Sequence, residues 1–379
     1  MNRNARFLLV VVLGLLVWAM SATAAGAARY VIVLDGTTEP AAAARQAQAL
    51  GGSVGHVYTH ALEGFSVALP AGQLDALRAL PGVAYVERDG VVRASTTQPN
   101  ATWGIDRTDQ RALPLSTTFT YTATGAGVTA YIVDTGIRRS HAEFGGRAVN
   151  GYDGVGGAVL VDDCNGHGTH VAGTVGGTTY GIAKQVRLVS VRVLDCVGVG
   201  LNSTVIAGVD WVTGDHDPGE PAVANMSLGG GVSAALDTAV RNSIADGVTY
   251  AVAAGNGDEA GNQLDACTGS PARVAEAITV SATDASDRKA SWANYGPCVD
   301  WFAPGVSITS AWWLSNTSTN TISGTSMATP HTAGVAAQYL QGNQGASPAA
   351  VRTALYDLTT KSIVTQSSTA NNHLLFTNL

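Results

Sequence analysis

The fold class follows from residues 128–136, V-T-A-Y-I-V-D-T-G, where a mostly apolar run ends in a carboxylate. The run does not alternate with polar residues, so both faces of the strand are expected to be buried. Helical stretches separate it from four further short aliphatic runs, at 188–193, 222–226, 248–253 and 277–282. This alternation predicts an α/β domain whose parallel sheet is covered by helices on both faces.

A smaller unit precedes this domain. Its predicted strands cover residues 30–34, 65–69 and 83–87, and its predicted helices cover residues 40–50 and 73–80. The strand–helix–strand–helix–strand order predicts a small α+β sandwich of the ferredoxin-like kind. Residues 93–99 form a polar linker without periodicity, which is a natural place for a processing cut.

Composition excludes two classes of protein. Charged residues make up 13% of the chain, against about 25% in typical domains. Because a disordered chain needs high charge and few apolar residues, disorder is excluded. The net charge of −7 also argues against nucleic-acid binding, which requires a basic surface.

The N-terminus predicts export. Arg3 and Arg6 precede the apolar run 7–18, and small residues follow, as in a secretory signal peptide cleaved near Ala24 or Ala27. The alternative, a membrane anchor, needs about 20 apolar residues. Four cysteines fit two disulfides in an exported protein, and their spacing leaves three possible pairings open.

Three residues are candidates for catalysis, and each is weak evidence alone. Asp134 begins a D-T-G triplet, but an aspartic protease needs two such carboxylates and no second D-T-G exists. His167 and His170 could face one metal, but the glutamate of a zinc-protease helix is missing. Ser326 could simply cap a helix, and its surroundings are not G-x-S-x-G.

Together these residues predict nucleophilic catalysis. A serine hydroxyl becomes a nucleophile when a histidine removes its proton, and a carboxylate orients that histidine. Asp134, His167 and Ser326 occur in the chain order Asp, His, Ser, which is one of the known orders of this triad.

The sequence resembles the subtilisin-like serine proteases, and within them the proteinase K and aqualysin branch. The resemblance rests on D-T-G-I at 134–137, H-G-T-H-V-A-G-T at 167–174 and G-T-S-M-A-T-P-H at 324–331, and it extends from Trp103 to Leu379. It implies a subtilisin-like fold. It also implies that His167 is the base, whereas His170 is a packing residue.

The resemblance further implies how a substrate binds. Asn256, in A-A-G-N, would donate to the oxyanion of the tetrahedral intermediate. Glycine-rich segments would pair with an extended peptide, and a small, uncharged wall would favour an apolar residue before the cut. The implied substrate-binding residues are Gly198, Gly200, Ser227, Leu228, Gly229, Ala253 and Gly255.

The first unit resembles the inhibitory propeptide of these proteases, in H-V-Y at 56–58 and G-F-S-V at 64–67. The expected division is a signal peptide at 1–27, a propeptide at 28–95 and a peptidase domain at 96–379. The propeptide would act as intramolecular chaperone and inhibitor, although a permanently attached regulatory domain remains an alternative. The expected partners are protein and peptide substrates, for a secreted, extracellular monomer that binds neither nucleic acid nor, after signal cleavage, a membrane.

The branch also implies disulfides Cys164–Cys196 and Cys267–Cys298 and a structural calcium ion, with no catalytic metal or organic cofactor. One implied calcium site combines Asp300 with the carbonyls of Ala275 and Ala277. A second candidate site consists of Asp106, Asp109, Gln110, Ser116 and Thr118. Alternatively, the acidic residues of both sites are solvated or pair with Arg107 or Arg111.

Three functions are compatible with these residues. The first is a secreted endopeptidase that works through an acyl-enzyme. The second is a catalytically silent peptide binder, which the intact catalytic residues oppose. The third is an esterase with the same triad, which the long peptide-pairing segments disfavour.

Overall fold

We describe a computed structural model of the chain, which covers residues 27–90, 95–156 and 162–379. The described residues form two compact units, one that ends at residue 90 and one that begins at residue 95. The expected signal peptide lies outside the described residues except for Ala27. Across the part of the chain that is described, no helix has the length and apolar character needed to cross a membrane.

The first unit is an α+β sandwich whose four antiparallel strands are ordered β2-β3-β1-β4. The central strands β1 and β3 supply Ile32 and Phe65 to its core, both with no exposed surface. The elements are β1 (Ala28–Leu34), α1 (Pro40–Ala49), β2 (Ser53–Thr59), β3 (Glu63–Leu69), α2 (Leu74–Arg78) and β4 (Val83–Arg88).

The sequence did not predict β2. This strand lies at the edge of the sheet, and five of its seven residues are exposed while none is buried. An edge strand with no buried face lacks the apolar periodicity from which strands are predicted.

The second unit is built on a sheet of seven parallel strands, ordered β15-β14-β12-β10-β7-β9-β8. The predicted α/β fold is thereby confirmed. Its seven strands are β7 (Thr129–Asp134), β8 (Ala148–Asp153), β9 (Arg187–Arg192), β10 (Ala222–Met226), β12 (Thr249–Ala253), β14 (Ile278–Thr283) and β15 (Trp301–Pro304).

Shorter strands and, within the described residues, six α-helices complete this unit. The short strands form three two-stranded pairs: β5 (Thr96–Pro99) with β6 (Thr118–Tyr121), β11 (Gly230–Gly231) with β13 (Gly269–Ser270), and β16 (Ile308–Ala311) with β17 (Thr319–Ile322). The helices are α3 (Trp103–Thr108), α4 (His167–Gly176), α5 (Asn202–Asp215), α6 (Ala234–Asp246), α7 (Thr325–Gly342) and α8 (Pro348–Leu358).

Helices bury both faces of the sheet. On β7, Ile132 belongs to a core that includes Val171 of α4. The next residue, Val133, belongs to a second core that includes Val209 of α5 and Val240 of α6. Successive side chains of a strand point to opposite faces, which is why a strand between two helix layers is apolar throughout.

The order in which the strands are added reverses at β7, so the binding site is expected at the carboxyl end of this central strand. From this strand the chain adds β9 and β8 on one side and β10, β12, β14 and β15 on the other. Ligands of such sheets bind beyond the carboxyl ends of the strands, where the order reverses. Asp134 is the last residue of β7, Ser227 follows β10 directly, and Asn256 lies shortly after β12.

Candidate active site

Asp134 and His167 form a hydrogen-bonded pair. Asp134 is fully buried at the end of β7, and His167 is the first residue of α4. His167 Nδ1 lies 2.8 Å from Oδ1 and 2.9 Å from Oδ2 of Asp134. Because a carboxylate only accepts, Nδ1 carries the proton, and Nε2 is left to accept one from another group.

The surroundings of His167 favour its protonated form. Burial opposes a charge on the ring, but the charge and hydrogen bond of Asp134, together with the charge of Asp163, outweigh burial. The pKa of His167 is therefore raised above its ordinary value. A base with a raised pKa binds the nucleophile's proton more strongly.

Ser326 lies in the first turn of α7, and its backbone is held by Ser227. The Ser326 hydroxyl donates to the Ser227 carbonyl over 3.0 Å, and the Ser227 hydroxyl donates to the Ser326 carbonyl over 2.8 Å. Asn225 Nδ2 in turn donates to the Ser227 hydroxyl. Among the described residues no hydrogen bond joins Ser326 to His167; such bonds are often long in free enzymes and tighten with substrate.

Asn256 is oriented by the residue next to Ser326. Its Oδ1 accepts from the Thr325 backbone N–H at 2.8 Å and from the Thr325 hydroxyl at 2.9 Å. With the oxygen so occupied, Nδ2 remains free as a donor, beside Gly324. The sequence did not identify Thr325, since it and Asn256 are 69 residues apart and no local pattern connects them.

Two grooves meet at these residues. A groove of about 530 Å³ is lined by His167 and Ser227, and one of about 340 Å³ by Asn256 and Ser326. Neither lining includes a lysine, arginine, aspartate or glutamate. The first groove holds Gly198 and Gly200, the second holds Ala253 and Gly255, and both share Leu228 and Gly229, so the expected substrate-binding residues lie together.

Two disulfides are present, and the described residues contain no free cysteine. Cys164 pairs with Cys196, and Cys267 pairs with Cys298, which are the pairs that the resemblance implied. The first disulfide ties the loop before His167 to the segment that leads into the first groove.

The residues of the second candidate calcium site also lie together, and we call Asp106, Asp109, Gln110, Ser116 and Thr118 the Asp106 cluster. Asp106 Oδ1 accepts from the Ser116 hydroxyl at 2.8 Å, and that hydroxyl lies 2.8 Å from the Thr118 hydroxyl. Gln110 Oε1 accepts from the Ser116 backbone N–H. Asp109 Oδ1 is buried and has no hydrogen-bond partner among the described residues. Burial, with the nearby charge of Asp106, raises the pKa of Asp109 to about 6. A cation beside this oxygen would stabilise the ionised carboxylate of Asp109 against burial and against the charge of Asp106.

The surroundings of Asp300 are different. Its Oδ1 accepts from the Arg352 guanidinium, and its Oδ2 accepts from the Thr279 backbone N–H over 2.8 Å. A positive charge therefore already neutralises this carboxylate. These residues fit a calcium ion less well than the Asp106 cluster does, and the arginine that pairs with Asp300 is neither of the two named from the sequence.

Fold and site together define a class: a parallel α/β protein with an Asp–His pair at the end of its central strand β7 and a serine at the start of helix α7. Residues 125–375 match the family model described as the Subtilase family. Residues 29–95 match the model described as Peptidase inhibitor I9.

Known proteins agree with this class. An "Extracellular serine proteinase" of Thermus sp. (strain Rt41A) is 58% identical over 87% of this chain and 80% of that protein. "Alkaline serine exoprotease A" of Vibrio alginolyticus is 50% identical over 84% of this chain and 59% of the length of that protein. The crystal structure of a cold adapted subtilisin-like serine proteinase matches with a TM-score of 0.70 and 52% identity, over 73% of this chain and 98% of its own. The chain belongs to the subtilase family of serine proteinases, as the resemblance indicated.

Proposed function

We propose that this subtilase is a secreted endopeptidase whose triad is Asp134, His167 and Ser326. The observation that carries the proposal is the contact of His167 Nδ1 with both Asp134 oxygens, because His167 and Ser326 line two grooves that share Leu228 and Gly229. In that arrangement Nε2 is free to act as the base.

The proposed reaction begins when a substrate carbonyl enters the cleft. The Ser326 hydroxyl exchanges its bond with the Ser227 carbonyl for one with His167 Nε2, gives up its proton and attacks the carbonyl carbon. Asp134 stabilises the resulting imidazolium. His167 then protonates the leaving amine, and a water molecule, activated in the same way, hydrolyses the acyl-enzyme.

We assign the oxyanion hole to Asn256 Nδ2 and the Ser326 backbone N–H. Both would donate to the oxygen that becomes negative in the tetrahedral intermediate. The two bonds from Thr325 to Asn256 Oδ1 support this role, because they fix the amide before substrate arrives.

The grooves support an extended peptide as substrate. Glycines at 198, 200 and 229 leave backbone donors and acceptors accessible for pairing. Because the second groove is lined by Ala253 and Gly255 and carries no charge, we expect broad specificity with a preference for apolar residues before the cut.

We propose residues 1–27 as signal peptide, 28–95 as propeptide and 96–379 as the extracellular peptidase domain. The match of residues 29–95 to the inhibitor family supports a propeptide that inhibits its own enzyme. The name of the Thermus relative supports export.

We also propose that the Asp106 cluster holds a structural calcium ion, with Asp106, Asp109 and Gln110 as ligands, helped by Ser116 and Thr118. Calcium takes oxygen ligands and would supply the positive charge that the unpartnered Asp109 oxygen needs. The other candidate site, Asp300 with the carbonyls of Ala275 and Ala277, is less well supported, because Arg352 already pairs with Asp300.

The test compares variants on casein and on a simple ester. Ser326→Ala should abolish casein hydrolysis and leave the precursor uncut, and Asn256→Ala should lower kcat about 10²–10³-fold. The matched control Ser347→Ala removes the cap of α8, lies outside the linings of both grooves, and should retain wild-type kcat. Casein hydrolysis by Ser326→Ala near the wild-type rate would refute the triad, and a wild-type enzyme active only on the ester would make it an esterase.

A further inference from the structure

A buried carboxylate that the proposed mechanism does not use lies beside the Asp134–His167 pair. Asp163 precedes His167 by four residues and is only 5% exposed. Its neighbour Asp162 pairs with Arg139 at 3.1 Å, but Asp163 forms no ion pair within the described ranges. A buried charge without a counter-ion must be held by hydrogen bonds.

Asp163 accepts five hydrogen bonds and donates none, as an ionised carboxylate must. Its Oδ1 accepts from the Thr135 hydroxyl and from the backbone N–H groups of Asn165 and Gly166, each at 2.9 Å. Its Oδ2 accepts from the Thr169 backbone N–H at 2.9 Å and from the Thr169 hydroxyl at 2.6 Å. Asp163 therefore holds the first turn of α4, the helix that begins with His167.

Thr135 connects this carboxylate to the other member of the pair. Its backbone N–H donates to Asp134 Oδ1 at 2.7 Å, while its hydroxyl donates to Asp163 and accepts from the Gly168 backbone N–H at 2.9 Å. Asp134 at the end of β7 and His167 at the start of α4 are thus joined a second time, through Thr135 and Asp163.

Asp163 also acts on His167 through its charge. The charged groups that act on the His167 ring are Asp134 from β7 and Asp163 from the preceding loop, and both raise its pKa. His170, one turn further along α4, stays neutral, because burial lowers its pKa to about 3. Removal of the Asp163 charge should therefore lower the pKa of His167.

We propose that Asp163 is a positioning residue of the reaction, which fixes His167 against Asp134 and stabilises the imidazolium with a second negative charge. This inference rests on the proposed function.

The test is the pH profile of kcat/KM for Asp163→Asn, a substitution that keeps the shape and removes the charge. We expect the acid limb to move to lower pH by roughly 0.5 pH unit, because a negative charge near His167 is removed. We also expect kcat to fall about tenfold or more, because His167 is no longer held in its orientation. The matched control is Asp284→Asn, whose carboxylate also accepts two backbone N–H groups in a loop but lines neither groove. Asp284→Asn should leave the position of the acid limb and kcat unchanged.

A second variant separates the positioning role of Asp163 from the effect of its charge. Thr135→Val removes the connecting hydroxyl and retains the Asp163 carboxylate, so kcat should fall while the acid limb stays in place. If Asp163→Asn does not mature, NMR titration of His167 in unprocessed Ser326→Ala protein, with and without Asp163→Asn, measures the same pKa shift.

An acid limb and a kcat for Asp163→Asn that match the wild type would overturn the proposal, even if the melting temperature fell, since Asp163 would then be structural only. So would a His167 pKa that does not change in the Ser326→Ala precursor. These results leave the triad intact, whereas casein hydrolysis by Ser326→Ala refutes the triad itself.

Discussion

At the scale of single residues, three histidines have very different affinities for a proton: His170 and His331 are buried, whereas His167 is partly exposed. His170 and His331 are desolvated and pair with no carboxylate in the part of the chain that the structure describes, so burial lowers their pKa values to about 3 and about 4. His167 is also desolvated, but it faces Asp134, so its pKa is raised. Of these three, only His167 is expected to titrate near neutral pH.

This difference predicts the pH dependence of the wild-type enzyme. His167 must be neutral to accept the serine proton, so kcat/KM should fall as the pH drops below its pKa. Because that pKa is raised, the acid limb should lie above the ordinary histidine value of about 6.5. A steady-state pH profile on a peptide substrate without titratable groups measures it. An acid limb well below pH 6 would contradict the proposed environment of His167.

The sequence predicts Asp134, His167 and Ser326 as candidates, but it does not indicate the groups that contact them. Each candidate lies in a motif that can be recognised locally. The contact between Ser227 and Ser326 joins residues 99 apart, and no periodicity or composition signals it. Asp163 lies close to His167 in sequence, but its importance depends on Thr135, which directly follows β7 and is 28 residues away.

At the scale of elements, the five central strands of the main sheet could be predicted from the sequence, and the two edge strands could not. β10 was predicted as residues 222–226, and the structure has Ala222–Met226. β8, A-V-N-G-Y-D, lies at one edge and is too polar to stand out. β15 at the other edge has four residues and ends in proline, which residue propensity disfavours in a strand.

The two disulfides allow a matched comparison between elements. They close similar loops, with sequence separations of 32 and 31 residues, so removal of either should cost roughly 3–4 kcal/mol of unfolding free energy. Only Cys164–Cys196 joins the loop before His167 to the first groove. We therefore expect Cys164→Ser/Cys196→Ser to raise KM and lower kcat, and Cys267→Ser/Cys298→Ser to affect stability mainly.

Denaturant unfolding and steady-state kinetics on both double variants check this expectation. Equal kinetic losses in the two variants would show that the first disulfide has no special role at the site.

At the scale of the whole molecule, calcium should raise stability in a pH-dependent way. The pKa of Asp109 is raised to about 6 in the folded protein, so without calcium the folded state binds the extra proton and stability falls as pH rises from about 4 to 6. Calcium binds the ionised carboxylate and reverses this loss. At a free calcium concentration 100-fold above Kd, it raises the free energy of unfolding by about 2.7 kcal/mol.

Melting curves with calcium and with EDTA measure the effect. The calcium-dependent gain should be largest above pH 6, shrink towards pH 4 and be reduced in Asp109→Ala, with Asp284→Ala as the control. A wild-type melting temperature that EDTA leaves unchanged at pH 8 would rule out a stabilising calcium ion.

The most decisive measurement concerns the nucleophile. Active enzyme is inactivated with phenylmethanesulfonyl fluoride, which sulfonylates activated serines, and the modified peptide is identified by mass spectrometry. We expect loss of activity in proportion to a single adduct on Ser326, and no adduct in His167→Ala. Inactivation with the adduct on another residue, or full activity with Ser326 modified, would contradict the proposed Asp134–His167–Ser326 triad.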